Sequence, residues 1–132
     1  MRFQPVPADA PSGVHRVGQE AVVRASGVTC ALRAIGNLLA GRVPDGGRFV
    51  ERPAFDTLGI MLDCSRGAVM KTEHLKRWLR RLALLGFNMA MLYTEDVYEL
   101  PGHPYFGYQR GRYTAQELRG MDAYAARLGI QM

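Results

Sequence analysis

The 132-residue sequence has little of what usually stabilises small secreted or metal-bound domains. It has only two cysteines, Cys30 and Cys64, and their wide separation fits neither a zinc spacing nor a disulfide framework. Its three histidines, His15, His74 and His103, stand apart from any ligand pattern. We therefore expect neither a metal nor a cofactor.

Long hydrophobic runs are also missing. No run is long enough to cross a membrane, and residues 1–5 lack the apolar core of a signal peptide. With 48% hydrophobic and 22% charged residues, the composition is typical of a globular domain rather than a disordered chain. The expectation is a cytoplasmic protein with no membrane partner.

The charge is unbalanced, with a formal net charge of +5 that comes mostly from arginine. The basic residues are scattered, and many fall on helix faces that point to water, as Lys76, Arg77, Arg80 and Arg81 do. No nucleic-acid motif accompanies them. We therefore predict no nucleic-acid partner; a basic interaction module would instead show binding that weakens steeply with salt.

The first part of the chain predicts a small domain without visible chemistry. Residues 1–13 are rich in proline and should form an extended lead-in. Residues 14–52 should form a small α/β accessory domain. Two β-branched runs at 14–17 and 21–23 predict a hairpin or two short strands, and helical spacing predicts a helix over 28–39. Packing is its expected role.

The second part, residues 53–132, predicts two βα units of a parallel sheet. Apolar runs at 57–62 and 87–92 predict strands, and the second, apolar on both faces, is typical of a strand covered on each side. An apolar stripe predicts a helix over 72–85. A second helix should begin at a capping box formed by Thr114 and Glu117, and a third strand should start at residues 130–132.

The loops differ in length between the two ends of this predicted sheet. Helix-to-strand connections shrink to about one residue, Gly86 and Gly129, whereas the strand-to-helix connection over 94–113 has about 20 residues, well beyond the usual 2–6. Rings, carboxylates and guanidinium groups together suit a sugar, whose C–H faces stack and whose hydroxyls need paired hydrogen bonds. The loop contains Glu95, Asp96, Tyr98, Glu99, Tyr105, Phe106, Tyr108, Arg110 and Arg112.

A polar cluster also follows the first of these strands. Asp63 is interpreted as a structural carboxylate at the strand end. Cys64 is interpreted as a small buried thiol. The alternative for Cys64 is a nucleophile, which would need an activating histidine that the sequence does not place.

Residues 55–132 resemble the start of the barrel in family 20 glycoside hydrolases, the β-N-acetylhexosaminidases. Four stretches carry the resemblance, in the family's order and spacing: residues 59–66, 85–96, 113–118 and 122–130. The resemblance implies the N-terminal part of a (β/α)8 TIM barrel, truncated after two βα units and the beginning of strand three. Residues 14–52 are similar to the small α/β domain that precedes that barrel.

The resemblance also implies a reaction and a substrate. The family removes terminal N-acetylhexosamine from glycans with retention, through attack by the substrate's own acetamido oxygen. Its catalytic Asp-Glu pair follows the fourth strand, so this chain should hold no catalytic residue and should be inactive alone. Arg66 matches the family's arginine that holds hydroxyls of the terminal sugar. Glu95 and Asp96 stand where the family often has Thr-Asp-Asp. We predict that they are substrate-binding carboxylates at the rim of the site, with a purely structural pair as the alternative, and that they do not catalyse.

Two further expectations follow from a partial barrel. Its open sheet edges would allow self-association with another copy. The alternative function is a non-catalytic carbohydrate-binding or scaffold remnant of the barrel. Coding sequence that continues beyond Met132 into strands with an Asp-Glu pair would decide between the two.

Overall fold

A four-stranded sheet occupies the first half of the protein in the computed structural model, which describes residues 1–132. Its four strands are β1 (Arg2–Pro5), β2 (Ser12–Val17), β3 (Glu20–Ala25) and β4 (Arg48–Glu51). Their order in the sheet is β1-β3-β2-β4. Strands β2 and β3 form the predicted antiparallel hairpin, so that prediction is confirmed.

Two strands of this sheet differ from the sequence-based expectation. The lead-in over 1–13 contains β1, which pairs in parallel with β3 with Arg2 opposite Val22. Strand β4 was not predicted and pairs antiparallel with β2. Both are edge strands of four residues, and their formation depends on partners distant in sequence, which neither propensity nor periodicity reports.

Helix α1 (Val28–Leu39) packs on this sheet and has the predicted bounds. The spacing of its apolar residues agrees with those bounds, and no side chain caps its first turn. The buried residues of this first core are Val14, Ala21, Val23, Ala25, Ala31, Ala34 and Val43.

The second half of the chain forms two consecutive βα units around a parallel strand pair, as predicted. The capping box of the last helix is present, with Thr114 and Glu117 bonded reciprocally. Gln131 pairs in parallel with Met89, where the third strand was expected to start. The elements are β5 (Gly59–Asp63), α2 (Thr72–Leu85), β6 (Met89–Tyr93) and α3 (Ala115–Arg127).

Strands β5 and β6 begin two residues later than predicted, and the side chain of Asn88 bridges the two segments just before them. Asn88 accepts a hydrogen bond from the amide of Leu58 at 2.8 Å and donates one to the carbonyl oxygen of Asp56 at 2.7 Å. The connection from α2 to β6 is correspondingly residues 86–88 rather than Gly86 alone.

Helices α2 and α3 lie on the same face of the β5–β6 pair. The expectation that the second strand is covered on each side is therefore wrong for this chain: Ala90 is buried, whereas Met91 next to it is exposed. The fully or nearly fully buried residues of this second core are Cys64, Leu75, Leu79, Leu82, Ala83, Ala90, Val97, Tyr113, Met121, Ala125 and Ile130.

The two halves meet through helices α1 and α2. A Cβ atom at Gly36 would lie 2.0 Å from the carbonyl oxygen of Leu84, so only glycine permits this approach. Arg33 of α1 also forms an ion pair with Glu51 of β4 at 3.0 Å. The stem of the same side chain packs against Gly86, at the end of α2. None of the three helices combines the length and apolarity needed to span a membrane.

Candidate functional site

Asp63 ends strand β5 and organises the turn that follows. Its Oδ1 accepts hydrogen bonds from the Ser65 amide at 2.9 Å and the Ser65 hydroxyl at 2.8 Å. These bonds, with those from Arg66, favour the ionised form and lower the pKa of Asp63 to about 2. All of these bonds are local, as the interpretation of Asp63 as a structural carboxylate expects.

Arg66 is bonded to the protein through Nε, while its two Nη atoms, the outer edge of the guanidinium group, are free. Its Nε donates to Asp63 Oδ2 at 2.6 Å, and its guanidinium carbon lies 5.6 Å from the ring centroid of Tyr93. The ion pair with Asp63 raises the pKa of Arg66. The side chain is 73% exposed, and neither Nη atom has a partner in the protein. A planar donor edge in this state can bind two neighbouring oxygen atoms.

Glu95 and Asp96 follow strand β6 but do not act as a pair. Tyr93 donates from its hydroxyl to Glu95 Oε1 at 2.9 Å, which raises the pKa of Tyr93. Asp96 Oδ1 lies 3.1 Å from Arg110 Nη1 but out of line with its N–H bonds, so the contact is ionic rather than a directed hydrogen bond. Glu95 also has a left-handed backbone, with φ at 45°. Contact of either residue with a substrate stays a prediction.

Arg110 joins the ends of the two strands. Besides its ion pair with Asp96, it donates from Nη2 to the carbonyl oxygen of Ser65, after β5. Arg112 donates to the carbonyl oxygen of Phe106 at 2.7 Å, inside the same loop. The sequence grouped both arginines with the sugar-binding residues, but the structure uses them to hold the loop. Their bond partners are main-chain oxygens, which a sequence pattern does not reveal.

A buried cysteine–tyrosine contact lies beneath the cluster. Cys64 is buried as predicted, and Tyr113 places its hydroxyl 3.8 Å from the sulfur while donating to the carbonyl oxygen of Met70 at 2.6 Å. Burial raises the pKa of Tyr113. Sequence reasoning missed Tyr113 and the ring of Tyr93 as partners of the site. Their position next to a strand end or a helix cap was the available signal.

Arg66, Tyr93, Glu95 and Asp96 thus lie at the carboxyl end of parallel strands. Ligands of α/β proteins bind at this end, where the strand-to-helix loops converge. The amino end carries the short connections, residues 86–88 and the turn at Gly129. The fold and the cluster therefore define the chain as an α/β unit with a polar, solvent-open site at the carboxyl end of its sheet.

Solved structures similar to this fold include β-N-acetylhexosaminidases. An exo-β-N-acetylglucosaminidase from Vibrio harveyi, solved with N-acetylglucosamine, is 20% identical with a TM-score of 0.78 over 97% of this chain and 26% of its own. A Streptomyces plicatus N-acetyl-β-hexosaminidase is 18% identical, TM-score 0.78, over 98% and 32%. A Flavobacterium johnsoniae chitobiase is 23% identical, TM-score 0.75, over 91% and 20%.

These structures confirm the family resemblance at the level of the fold. No family model and no curated protein matches the sequence. The chain spans a third or less of the solved proteins it matches. It has the fold of one part of a family 20 β-N-acetylhexosaminidase, and the activity of such whole enzymes is a separate question.

Proposed function

We propose that this chain is the N-terminal portion of a glycoside hydrolase that removes terminal N-acetylhexosamine from glycans by the retaining, substrate-assisted route. Residues 53–132 begin the (β/α)8 barrel, and residues 14–52 are the accessory domain that precedes it. The catalytic Asp-Glu pair belongs to a part of the barrel outside this chain. The 132-residue chain supplies a sugar-binding wall of the site.

The free outer edge of Arg66 is the observation that carries the proposal. Asp63 and Tyr93 fix the guanidinium, while both Nη atoms face solvent without a partner. Vicinal hydroxyl groups of a pyranose match the spacing of this donor edge. A neighbour of the same fold was solved with N-acetylglucosamine, which is the sugar that we propose for this position.

The carboxylates support the division of labour between this chain and the rest of the barrel. Glu95 accepts a hydrogen bond from Tyr93, and Asp96 pairs with Arg110, so each carboxylate already has a partner within the chain. The same observation favours the second candidate, a non-catalytic carbohydrate-binding remnant of the barrel. Both candidates require that Arg66 binds sugar.

Titration of the chain with N-acetylglucosamine by NMR tests the binding role of Arg66. We expect Arg66→Ala to weaken binding by about 10-fold or more, because hydrogen bonds to a charged donor contribute about 1.5–3 kcal/mol. Arg77→Ala is the matched control, since Arg77 is an exposed arginine on α2 away from the site. Equal affinities of the wild type and a folded Arg66→Ala variant would remove Arg66 from the site.

Hydrolysis of a chromogenic N-acetylglucosaminide tests whether the chain acts alone. We expect no turnover above background, with a complete β-N-acetylhexosaminidase as the positive control. Turnover that disappears in Glu95→Gln or Asp96→Asn would instead assign catalysis to these carboxylates.

A further inference from the structure

The four-stranded sheet in the first half of the chain has one covered face and one open face. Helix α1 packs on the face that carries Val14, Val23 and Ala25. Because side chains alternate along a strand, the residues between them point away from α1. We call this open side the outer sheet face; its central residues are Arg2, Gln4, Gly13, His15, Arg24 and Arg48.

The outer sheet face brings together three arginines that are far apart in the sequence. Arg2 and Arg24 lie on the neighbouring strands β1 and β3, and Arg48 lies on β4 at the other edge of the sheet. Strand and residue spacings separate the Cα atoms of Arg2 and Arg24 by about 8 Å, and both from that of Arg48 by about 12–14 Å. All three arginines are exposed, and none forms an ion pair. Glu20, at the start of β3, is the one acidic strand residue on this face, so the face is basic.

A groove with a volume of about 500 Å³ crosses the outer sheet face, and Gln4, Arg24 and Arg48 line it. Gly13 lies in its floor. A Cβ atom at this position would collide with the carbonyl oxygen of Phe49, so only glycine allows β4 to pair here. The floor therefore has no side chain between the arginines on β3 and β4, which leaves room for a ligand between two positive walls.

The shape and composition of the groove narrow the class of anion that fits it. Three arginines spread over about 14 Å match several anionic groups along an extended chain better than one compact anion. A membrane surface is flat, whereas these arginines border a recessed groove. Single-stranded nucleic acid adds base stacking on aromatic rings. The aromatic residues of these strands, Phe3 and Phe49, alternate with the outer-face positions and point to the α1 side.

We propose that the outer sheet face binds an acidic polysaccharide, a chain whose sugar units carry sulfate or carboxylate groups. Guanidinium groups bind such anions through paired, charge-assisted hydrogen bonds. The amide of Gln4 and the imidazole of His15 can bond to the sugar hydroxyls between them. Helix α1 packs on the opposite face of the sheet and against α2. The surface is therefore separate from the site at Arg66 and does not depend on the proposed function.

Calorimetric titration of the 132-residue chain with a heparin octasaccharide tests this proposal. We expect Arg24→Gln/Arg48→Gln to weaken binding by about 10-fold or more, because hydrogen bonds to charged groups contribute on that scale. Arg77→Gln/Arg81→Gln is the matched control. It removes the same charge from two exposed arginines of α2 that form no ion pair, and it should weaken binding clearly less.

Further measurements separate the possible outcomes. Arg24→Lys/Arg48→Lys keeps both charges without the paired donors, and should bind more tightly than the glutamine variant and less tightly than the wild type. Equal weakening by the two glutamine variants, or no binding by the wild type at low salt, overturns the proposal. Tighter binding of an oligothymidylate or of phosphatidylserine vesicles through the same arginines would assign the face to nucleic acid or to a membrane, and would also overturn it.

Discussion

The two faces of the β5–β6 pair differ in what covers them. On one face, Ile60, Leu62 and Ala90 pack against a core built by α2 and α3, where Leu75 and Leu79 are completely buried. The opposite face has no layer over it. Apolar side chains at alternate positions of the same strands therefore have very different environments.

The uncovered face is apolar, with Met61 57% and Met91 49% exposed. Parallel strands in α/β proteins are normally buried on both faces. The proposed complete barrel would cover this face with side chains from its other strands. The comparison teaches that α2 and α3 complete one core within the chain, while the opposite face of the strand pair stays open to solvent.

The largest expected effect concerns the association of the isolated chain. We predict loose packing or self-association through the open edges and uncovered face of the β5–β6 pair. Sedimentation of the 14.7 kDa chain should then show assemblies of at least twice that mass, and Met61→Lys/Met91→Lys should reduce them. A wild-type monomer that melts in one sharp transition and binds no hydrophobic dye would contradict this and the partial-barrel proposal.

A matched pair of truncations tests the two faces directly. Leu79→Ala on the covered side should reduce the free energy of unfolding by about 2–5 kcal/mol, because it leaves a cavity in the core. Met91→Ala on the uncovered side should change it by no more than about 0.5 kcal/mol, as at other surface positions. Urea unfolding of both variants at low concentration measures the difference. Equal losses of the free energy of unfolding would mean that the uncovered face is in fact covered in solution.

A substitution at Gly86 tests the amino end of the β5–β6 pair, where α2 ends. Gly86 ends α2 with φ at 87°, and an added Cβ would lie 3.1 Å from Cδ of Arg33. We expect Gly86→Ala to cost about 1–2 kcal/mol in urea unfolding, because the left-handed conformation is unfavourable for alanine. Gly67→Ala, where an added Cβ meets nothing within 4 Å, should cost clearly less. Similar costs at both positions would refute this account of the helix end.

The smallest predicted effect is a pH dependence at the carboxyl end. Hydrogen bonds from Ser65 and Arg66 lower the folded-state pKa of Asp63 to about 2, from an ordinary value of 3.8. A lowered carboxyl pKa stabilises the fold above the ordinary value, and this contribution is lost as pH falls from 3.8 through about 2. Asp63→Asn should therefore be less stable at neutral pH and should lose less stability on acidification.

Urea midpoints between neutral pH and pH 2 measure this effect, with Asp9→Asn as the control at an exposed aspartate that makes no ion pair. Parallel pH profiles for the wild type and Asp63→Asn would show that the turn after β5 does not depend on this carboxylate.

Local patterns in the sequence were enough to determine the helices and to show which end of the sheet carries the polar residues. The bounds of α1 and α2 and the Thr114 capping box depend on residues within a turn or two of one another, so periodicity and cap chemistry report them. The same holds for the polar residues that follow β5 and β6, because a strand end is visible where an apolar run stops.

The tertiary structure alone decided which side chains remain free for a ligand. The pairing of β1 with β3 and the contact of Arg110 with Ser65 join residues far apart in the chain. The family resemblance made Arg66 a candidate for sugar binding, and the composition of the long loop made Arg110 and Tyr105 candidates. Only the fold distinguishes them. Arg110 is bonded to groups inside the protein, whereas Arg66 and Tyr105 are exposed to solvent. Exposure and hydrogen-bond partners depend on distant contacts, which composition and spacing do not encode.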